Sequence, residues 1–296
     1  MRASLALGLV LALGLGTFVP ADASAWCRMT TSPRRVSVAE PCIFPDPMAD
    51  PPEHYLAWLR PCSGIALSVT SASRDLTRDE ILGVFGRSIA AWEAVSCGGQ
   101  PLGIDIQLMS EESTCDRPVY RDGGGNVNAV VFTFDWAERE YDPNAFAVTT
   151  VWHRRSTGEI LDVDMDLNER RGPYGICPVE GCATRTVDLE NVVTHELGHY
   201  LGIAHSEEVE ATMYASAVAG ETIKRDLHPD DIEGLCVIYP PGTPSAECDY
   251  APRGGLVLHC EEGCSTSTPG RQDAPLWPLA LLALIPLRAR ASRRRS

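Results

Sequence analysis

Lys224 is the only lysine in the 296-residue sequence, and apart from histidine every other basic side chain is arginine. With 25 Lys and Arg against 40 Asp and Glu, the formal charge is −15. A phosphate backbone is held by clustered positive charge, so nucleic acid is not expected as a partner. No run reaches the ~20 consecutive apolar residues of a comfortable membrane span, which excludes a multi-span membrane protein. There is no Cys-x-x-Cys repeat, so the cysteines do not read as a zinc ribbon. No internal repeat is found either. What remains, 44% hydrophobic and 22% charged residues, is the composition of a soluble globular protein of one large or two small domains.

The two ends stand apart. Arg2, the apolar run Leu5–Val19 and the small-residue site Ala23-Ser24-Ala25 form the pattern of an export signal over 1–25. Gly8, Gly14, Gly16 and Pro20 argue against a buried helix there. At the other end Cys264 precedes a Ser/Thr/Pro/Gly stretch, the apolar run Ala274–Leu287, then Arg288, Arg290 and Arg293 to Arg295. This order resembles the C-terminal sorting tails of myxobacterial surface proteins, which implies a processing signal over 265–296. The plain alternative is a stop-transfer anchor held by its arginines. Either places the body outside a bacterial cytoplasm, secreted or surface-anchored, with membrane contact only through the tail. Six arginines against Asp273 in the tail, and Arg2 against Asp22 at the start, leave the body at −20.

Cysteine usage fits export. Setting aside Cys264 leaves Cys27, Cys42, Cys62, Cys97, Cys115, Cys177, Cys182, Cys236, Cys248 and Cys260, an even set for five disulfides. Cys177–Cys182, Cys248–Cys260 and Cys62–Cys97 are plausible local pairs.

Within the body, 26–60 is rich in Pro and Arg and reads as an irregular N-terminal segment. Strands are expected at Gly64–Thr70, Gly103–Met109, Ala129–Phe134, Ala145–Trp152 and Glu159–Asn168. Ile81, Val84, Phe85, Ile89 and Trp92 recur at spacings of three and four, predicting a helix over Thr77–Val95. A second helix is expected over Asp188–Leu201, with Asp188 as N-cap and Gly202 as its stop. The strand Glu159–Asn168 alternates strictly, with Asp162, Asp164, Asp166 and Asn168 on one face. A face so polar suggests an edge strand, or one over an ion or cleft. The class is α+β, or α/β with a mixed sheet.

The second helix carries His195-Glu196-Leu197-Gly198-His199, and His205 follows Gly202. Histidines four apart project from one helix face a turn apart, as two ligands of one metal must. Gly202 permits the sharp turn that returns His205 as a third. Three imidazoles suit Zn²⁺ and leave its fourth position for water. Glu196, beside the first ligand, is placed to accept that water's proton and later give it to a leaving amine. The chemistry is metal-assisted hydrolysis of a peptide bond. Alternatives are three structural histidines, or a zinc site without catalysis.

The extended pattern, with Met213 in Ala211-Thr212-Met213-Tyr214, resembles the metzincin signature and its methionine turn. HELGHYLGIAHS with ATMY, and Leu227 to Leu235 ending in Val237-Ile238-Tyr239, resemble the matrixin branch over 61–240. The resemblance implies a metzincin-like α+β fold: a twisted mixed sheet with an antiparallel edge strand, two long helices and a small C-terminal subdomain. A Cys-containing segment, 241–264, follows. It implies zinc held by His195, His199 and His205, Glu196 as general base, and Met213 as a floor beneath the metal. It also implies a structural calcium, for which Asp162, Asp164 and Asp166 offer oxygens; a solvated face is the alternative. The loop Arg121–Asn126 offers further oxygens. Tyr214 directly follows the methionine, and Ala215 stands where an astacin-type tyrosine ligand would, so three protein ligands are expected. Ala215 also replaces the family's usual proline in the pocket wall. Cys42 keeps the Cys-x-x-Pro-Asp spacing of the family's propeptide switch, an alternative to its disulfide role. There is no haemopexin-like repeat.

The expected partners are protein or peptide substrates lying antiparallel to an edge strand. The rivals are a surface adhesin with structural zinc, and a processing enzyme acting on one partner. The sequence carries no signal of oligomeric state.

Overall fold

The structure, a computed structural model, describes residues 25–34, 42–183, 185–242 and 248–260, and the backbone of Pro278–Leu279. Apart from Ala25 and that dipeptide, the predicted export signal and the tail lie outside the described residues, as does Cys264. The elements are β1 (Cys62–Leu67), α1 (Arg78–Glu93), β2 (Ser96–Cys97), β3 (Gln100–Pro101), β4 (Asp105–Leu108), β5 (Ala129–Thr133), β6 (Ala147–His153) and β7 (Ile160–Asn168). There follow β8 (Tyr174–Gly175), β9 (Val187–Asp188), α2 (Leu189–Tyr200), a 3-10 turn Ile223–Arg225, α3 (Pro229–Ile238) and β10 (Pro278–Leu279).

Five strands make the main sheet, in the order β6-β7-β5-β1-β4, all parallel except β6. β10 adds antiparallel to the outer edge of β6. This is the expected α+β architecture with its antiparallel strand at one side. The helices form where their ends are capped. Thr77 and Glu80 close a reciprocal capping box on α1, and Asp188 Oδ2 accepts from Asn191 N at 2.8 Å to start α2. The predicted stripe Ile81, Val84, Phe85, Ile89 and Trp92 is buried in one core with Leu189, Val192, Val193 and Leu197 of α2. Trp92 Nε1 donates to Thr194 O at 2.9 Å, tying the helices together at the level of the motif.

The aspartate strand is not an edge strand, the first of the two placements its polarity suggested. β7 lies between β6 and β5, and all of its residues are buried. Its polar face is buried from water, and Asp164 and Asp166 on it meet protein donors. Asp164 accepts from Ala129 N at 2.6 Å and Val119 N at 2.8 Å. Asp166 accepts from Thr133 Oγ1 at 2.6 Å, Arg139 Nη1 at 2.5 Å and Tyr141 Oη at 3.2 Å. The solvated-face alternative therefore falls.

The ten cysteines do form five disulfides, but only one of the three expected pairs is among them. Cys177–Cys182 forms, whereas Cys62 joins Cys248, Cys97 joins Cys236 and Cys115 joins Cys260. Each long bridge closes a loop of 139 to 186 residues, worth about 5 kcal/mol in isolation on the chain-entropy picture. Cys42 is bonded to Cys27 and is no free thiolate for a metal.

The described residues of the N-terminal segment form only isolated bridges, yet they are stitched to the turn that ends α2. Met29 N donates to Gly202 O at 2.9 Å, and Ala204 N to Cys27 O at 2.9 Å. Among the described residues, no helix is long and apolar enough to cross a membrane.

Candidate metal centre

α2 is apolar along one stripe, and the sheet and α1 bury it. Its other face therefore holds polar side chains inside the protein. The helix ends at Tyr200, and the turn that follows needs Gly202, whose φ of +87° and close approach to Leu56 (a Cβ would lie 2.9 Å from the Leu56 carbonyl oxygen) require glycine. The turn returns the chain, and His205 comes to the face where His195 and His199 already stand. The ring centroids lie 4.8 to 5.4 Å apart, and one ligand atom from each ring lies within 4.8 Å of the others. Among the described residues these three are the one group of three or more His, Cys, Asp or Glu side chains able to hold an ion.

The outer nitrogens settle the tautomers. His195 Nδ1 lies 2.6 Å from Thr212 O and His199 Nδ1 2.9 Å from Ile203 O. A carbonyl only accepts, so both Nδ1 atoms carry the proton and both Nε2 atoms offer lone pairs inward. His195 Nε2 is buried with no partner, and His199 Nε2 lies 3.2 Å from His205 Nε2. Converging buried acceptors of this kind call for a cation between them. The donor set fits zinc.

Burial keeps all three rings neutral. It holds His195 and His205 well below the ordinary histidine range and His199 down at about 4, with neighbouring charge adding to the shift. Metal then competes with few protons at neutral pH. Zinc affinity is therefore expected to change little between pH 7 and about 5.5 and to fall steeply as pH approaches 4. Chelator competition at stepped pH measures this; a fall already centred near 6.5 would show ordinary histidines.

Met213 is fully buried, with its sulfur against Gly198 of α2. Its turn is strapped from three sides. Asp231 of α3 accepts from Thr212 N at 2.8 Å and Met213 N at 3.0 Å, and Ser206 N donates to Met213 O at 2.8 Å. Lys224, also buried, donates through Nζ to Thr212 O at 3.2 Å and to Tyr214 O. The carbonyl that orients His195 is thus itself held by the chain's only lysine, whose pKa burial lowers to about 8. Sequence reasoning singled out Lys224 as rare and missed its place. Asp231 sat inside the quoted terminal helix motif without a role.

Glu196 is buried beside the histidines, and its Oε2 accepts from Thr149 Oγ1 of β6 at 2.5 Å. Burial raises its carboxyl to about 7, against the opposing pull of the Thr149 bond and the Lys224 charge. A carboxylate poised there exchanges protons readily near neutral pH. Of the predicted calcium residues, Asp164 and Asp166 have oxygens engaged by protein donors. Asp162 is fully buried with neither oxygen partnered. The loop Arg121–Asn126 spends oxygens on itself: Asn126 Oδ1 accepts from Arg121 N at 2.7 Å, and Asn126 Nδ2 donates to Arg121 O at 3.1 Å.

Comparison with known proteins agrees with this geometry. Residues 58–240 match the peptidase M10 family, described as matrixin. Metalloendoproteinase 1-MMP of Arabidopsis thaliana is 28% identical over 184 residues, covering 62% of this chain and 44% of that protein. Metalloendoproteinase 2-MMP of the same plant is 46% identical over 163 residues, covering 54% and 37%. The interstitial collagenase of Oryctolagus cuniculus is 40% identical over 57 residues, covering 19% and 12%. The chain spans less than half the length of these relatives.

Proposed function

The chain belongs to the matrixin family, and from that premise we propose that it is an exported zinc endopeptidase, with Glu196 as its general base. The observation that carries the reading is the convergence of three buried histidines beside a buried glutamate. Zinc at such a site supplies a Lewis acid for water and for the scissile carbonyl. His195, His199 and His205 hold it, with Thr212 O and Ile203 O fixing two of the rings. Glu196 receives the proton of the attacking water and delivers it to the departing amine. Substrate lies extended along the outer edge of β6, in the place that β10 takes in this structure. That this edge accepts an extended segment is supported by β10, whose Leu279 pairs antiparallel opposite Thr149. Strand addition recognises backbone and so tolerates many side chains.

Five disulfides and an export pattern support a body outside the cytoplasm. Trp26 N lies 3.0 Å from Asp230 Oδ1, and Ser206 Oγ donates to Asp230 Oδ2 at 2.6 Å. Signal cleavage after Ala25 turns that backbone amide into an ammonium on a carboxylate, one residue from the His205 turn. Asp230→Asn is therefore expected to destabilise the mature protein by about 1 kcal/mol, more than it destabilises a form extended by two residues. Thermal unfolding of the two forms compares them; equal losses would leave the amine without a role.

For calcium, Asp162 alone of the three aspartates retains two unpartnered oxygens. If an ion sits there, calcium raises the unfolding midpoint in the wild type and not in Asp162→Asn.

The central test is cleavage of a mixed fluorogenic peptide library by the exported protein. Chelation is expected to abolish cleavage and stoichiometric zinc to restore it. A zinc-loaded protein that cleaves nothing would leave the adhesin reading standing. A digest of native envelope proteins beside one of casein separates broad from narrow specificity.

A further inference from the structure

We infer that Thr149 is a positioning residue for Glu196: from the strand along which substrate lies, its hydroxyl holds the carboxylate of the base in place. This rests on the endopeptidase reading. Thr149 Oγ1 donates to Glu196 Oε2 at 2.5 Å, and both side chains are buried. A hydroxyl bound to a carboxylate at this distance is a strong, charge-assisted bond, and solvent does not compete for it.

The placement follows from strand geometry. Side chains alternate along β6. Val148 and Thr150 pair with Asp166 and Asp164, on the polar face of the sheet, while Thr149 pairs with Met165, on the face that α2 covers. A threonine is stiff at χ1, so the direction of its hydroxyl follows the backbone of β6. The glutamate has three rotatable bonds of its own, and Thr149 is the hydrogen-bond donor that meets its Oε2. Fixing Oε2 sets the plane of the carboxylate and leaves Oε1 to receive a proton.

The same residue lies on the outer edge, where Leu279 pairs opposite it. Peptide laid along β6 thus contacts the backbone of the residue whose side chain orients the base. Substrate register and base position are then set by one residue, which limits misalignment between the scissile bond and Glu196. Valine would fill the same space and lack the donor. Serine would keep the donor and lose the stiffness.

The test uses full-length, zinc-loaded protein. Thr149→Val is expected to lower kcat about tenfold, as a displaced catalytic group does, with KM and zinc content unchanged. Thr149→Ser restores most of that loss. In a Glu196→Gln background, Thr149→Val adds no further loss, because the two act as one unit. Crystal structures supply a readout independent of activity: the Glu196 carboxylate turns away from its wild-type orientation in Thr149→Val and keeps it in Thr149→Ser. An unchanged kcat, an unmoved carboxylate, or a loss confined to KM or zinc content would overturn the assignment. If the wild type cleaves nothing, it is the endopeptidase reading that fails, and the carboxylate orientation alone decides the role of Thr149.

Discussion

Replacing Glu196 with glutamine is expected to lower kcat/KM by about 10²- to 10⁴-fold while zinc remains bound at one ion per chain. Glutamine keeps the length and shape of the side chain, and its carbonyl oxygen still accepts the hydroxyl of Thr149. The histidines and their carbonyl partners are untouched. What disappears is the group that takes a proton from water and returns it to the amine. Metal analysis and peptide cleavage run side by side separate this loss from a damaged site. Equal zinc with equal activity would remove Glu196 from the reaction. Equal activity lost together with zinc would make it a structural neighbour of the histidines. Because burial raises the carboxyl of Glu196 to about 7, the wild type should also lose rate as it is acidified below neutrality. The sign follows from the role: a base must be ionised to accept. Zinc's positive charge draws the apparent midpoint lower, and the glutamine variant should lack this limb.

The convergence of the histidines was legible because the spacing of His195, Glu196 and His199 acts within one helix, where three residues and a turn decide what shares a face. Gly202 extended that reach to His205, since a left-handed residue there has few purposes other than a turn. The Asp188 cap of α2 was legible for the same local reason. Beyond one element the sequence said less. The alternation of Asp162, Asp164 and Asp166 correctly announced a strand with two unlike faces. A period of two does not say what covers the second face, and here donors from other segments, Val119, Arg139 and Tyr141 among them, cover it. Disulfide partners were misassigned where sequence nearness was taken for spatial nearness: Cys97 and Cys236 are 139 residues apart and bonded. Lys224 shows the limit most clearly. Its rarity was visible, but only the fold puts its ammonium on the carbonyls that flank Met213.

Gly198→Ala is expected to destabilise the protein by about 2–3 kcal/mol, although the same change in an exposed helix interior stabilises by about 1 kcal/mol. The sign turns on what the added methyl meets. A Cβ at position 198 would lie 2.1 Å from Met213 Sδ, 2.9 Å from Met213 Cε and 3.0 Å from Trp92 Cζ2. The end of a methionine is ordinarily able to move aside. This one is fully buried, and its backbone is held by Asp231 and Ser206. The methyl must therefore push the turn from the helix, and the turn includes the Thr212 carbonyl that orients His195. Stability, zinc affinity and kcat should fall together. Gly86→Ala in α1, where nothing lies within 4 Å of the added carbon, is the control and should stabilise. The double variant Gly198→Ala, Met213→Ala decides the cause. If contact between the two residues is the mechanism, removing the thioether relieves the clash, and the combined loss is smaller than the sum of the two single losses. Additive losses would show that glycine is needed at 198 for some reason other than its contact with Met213.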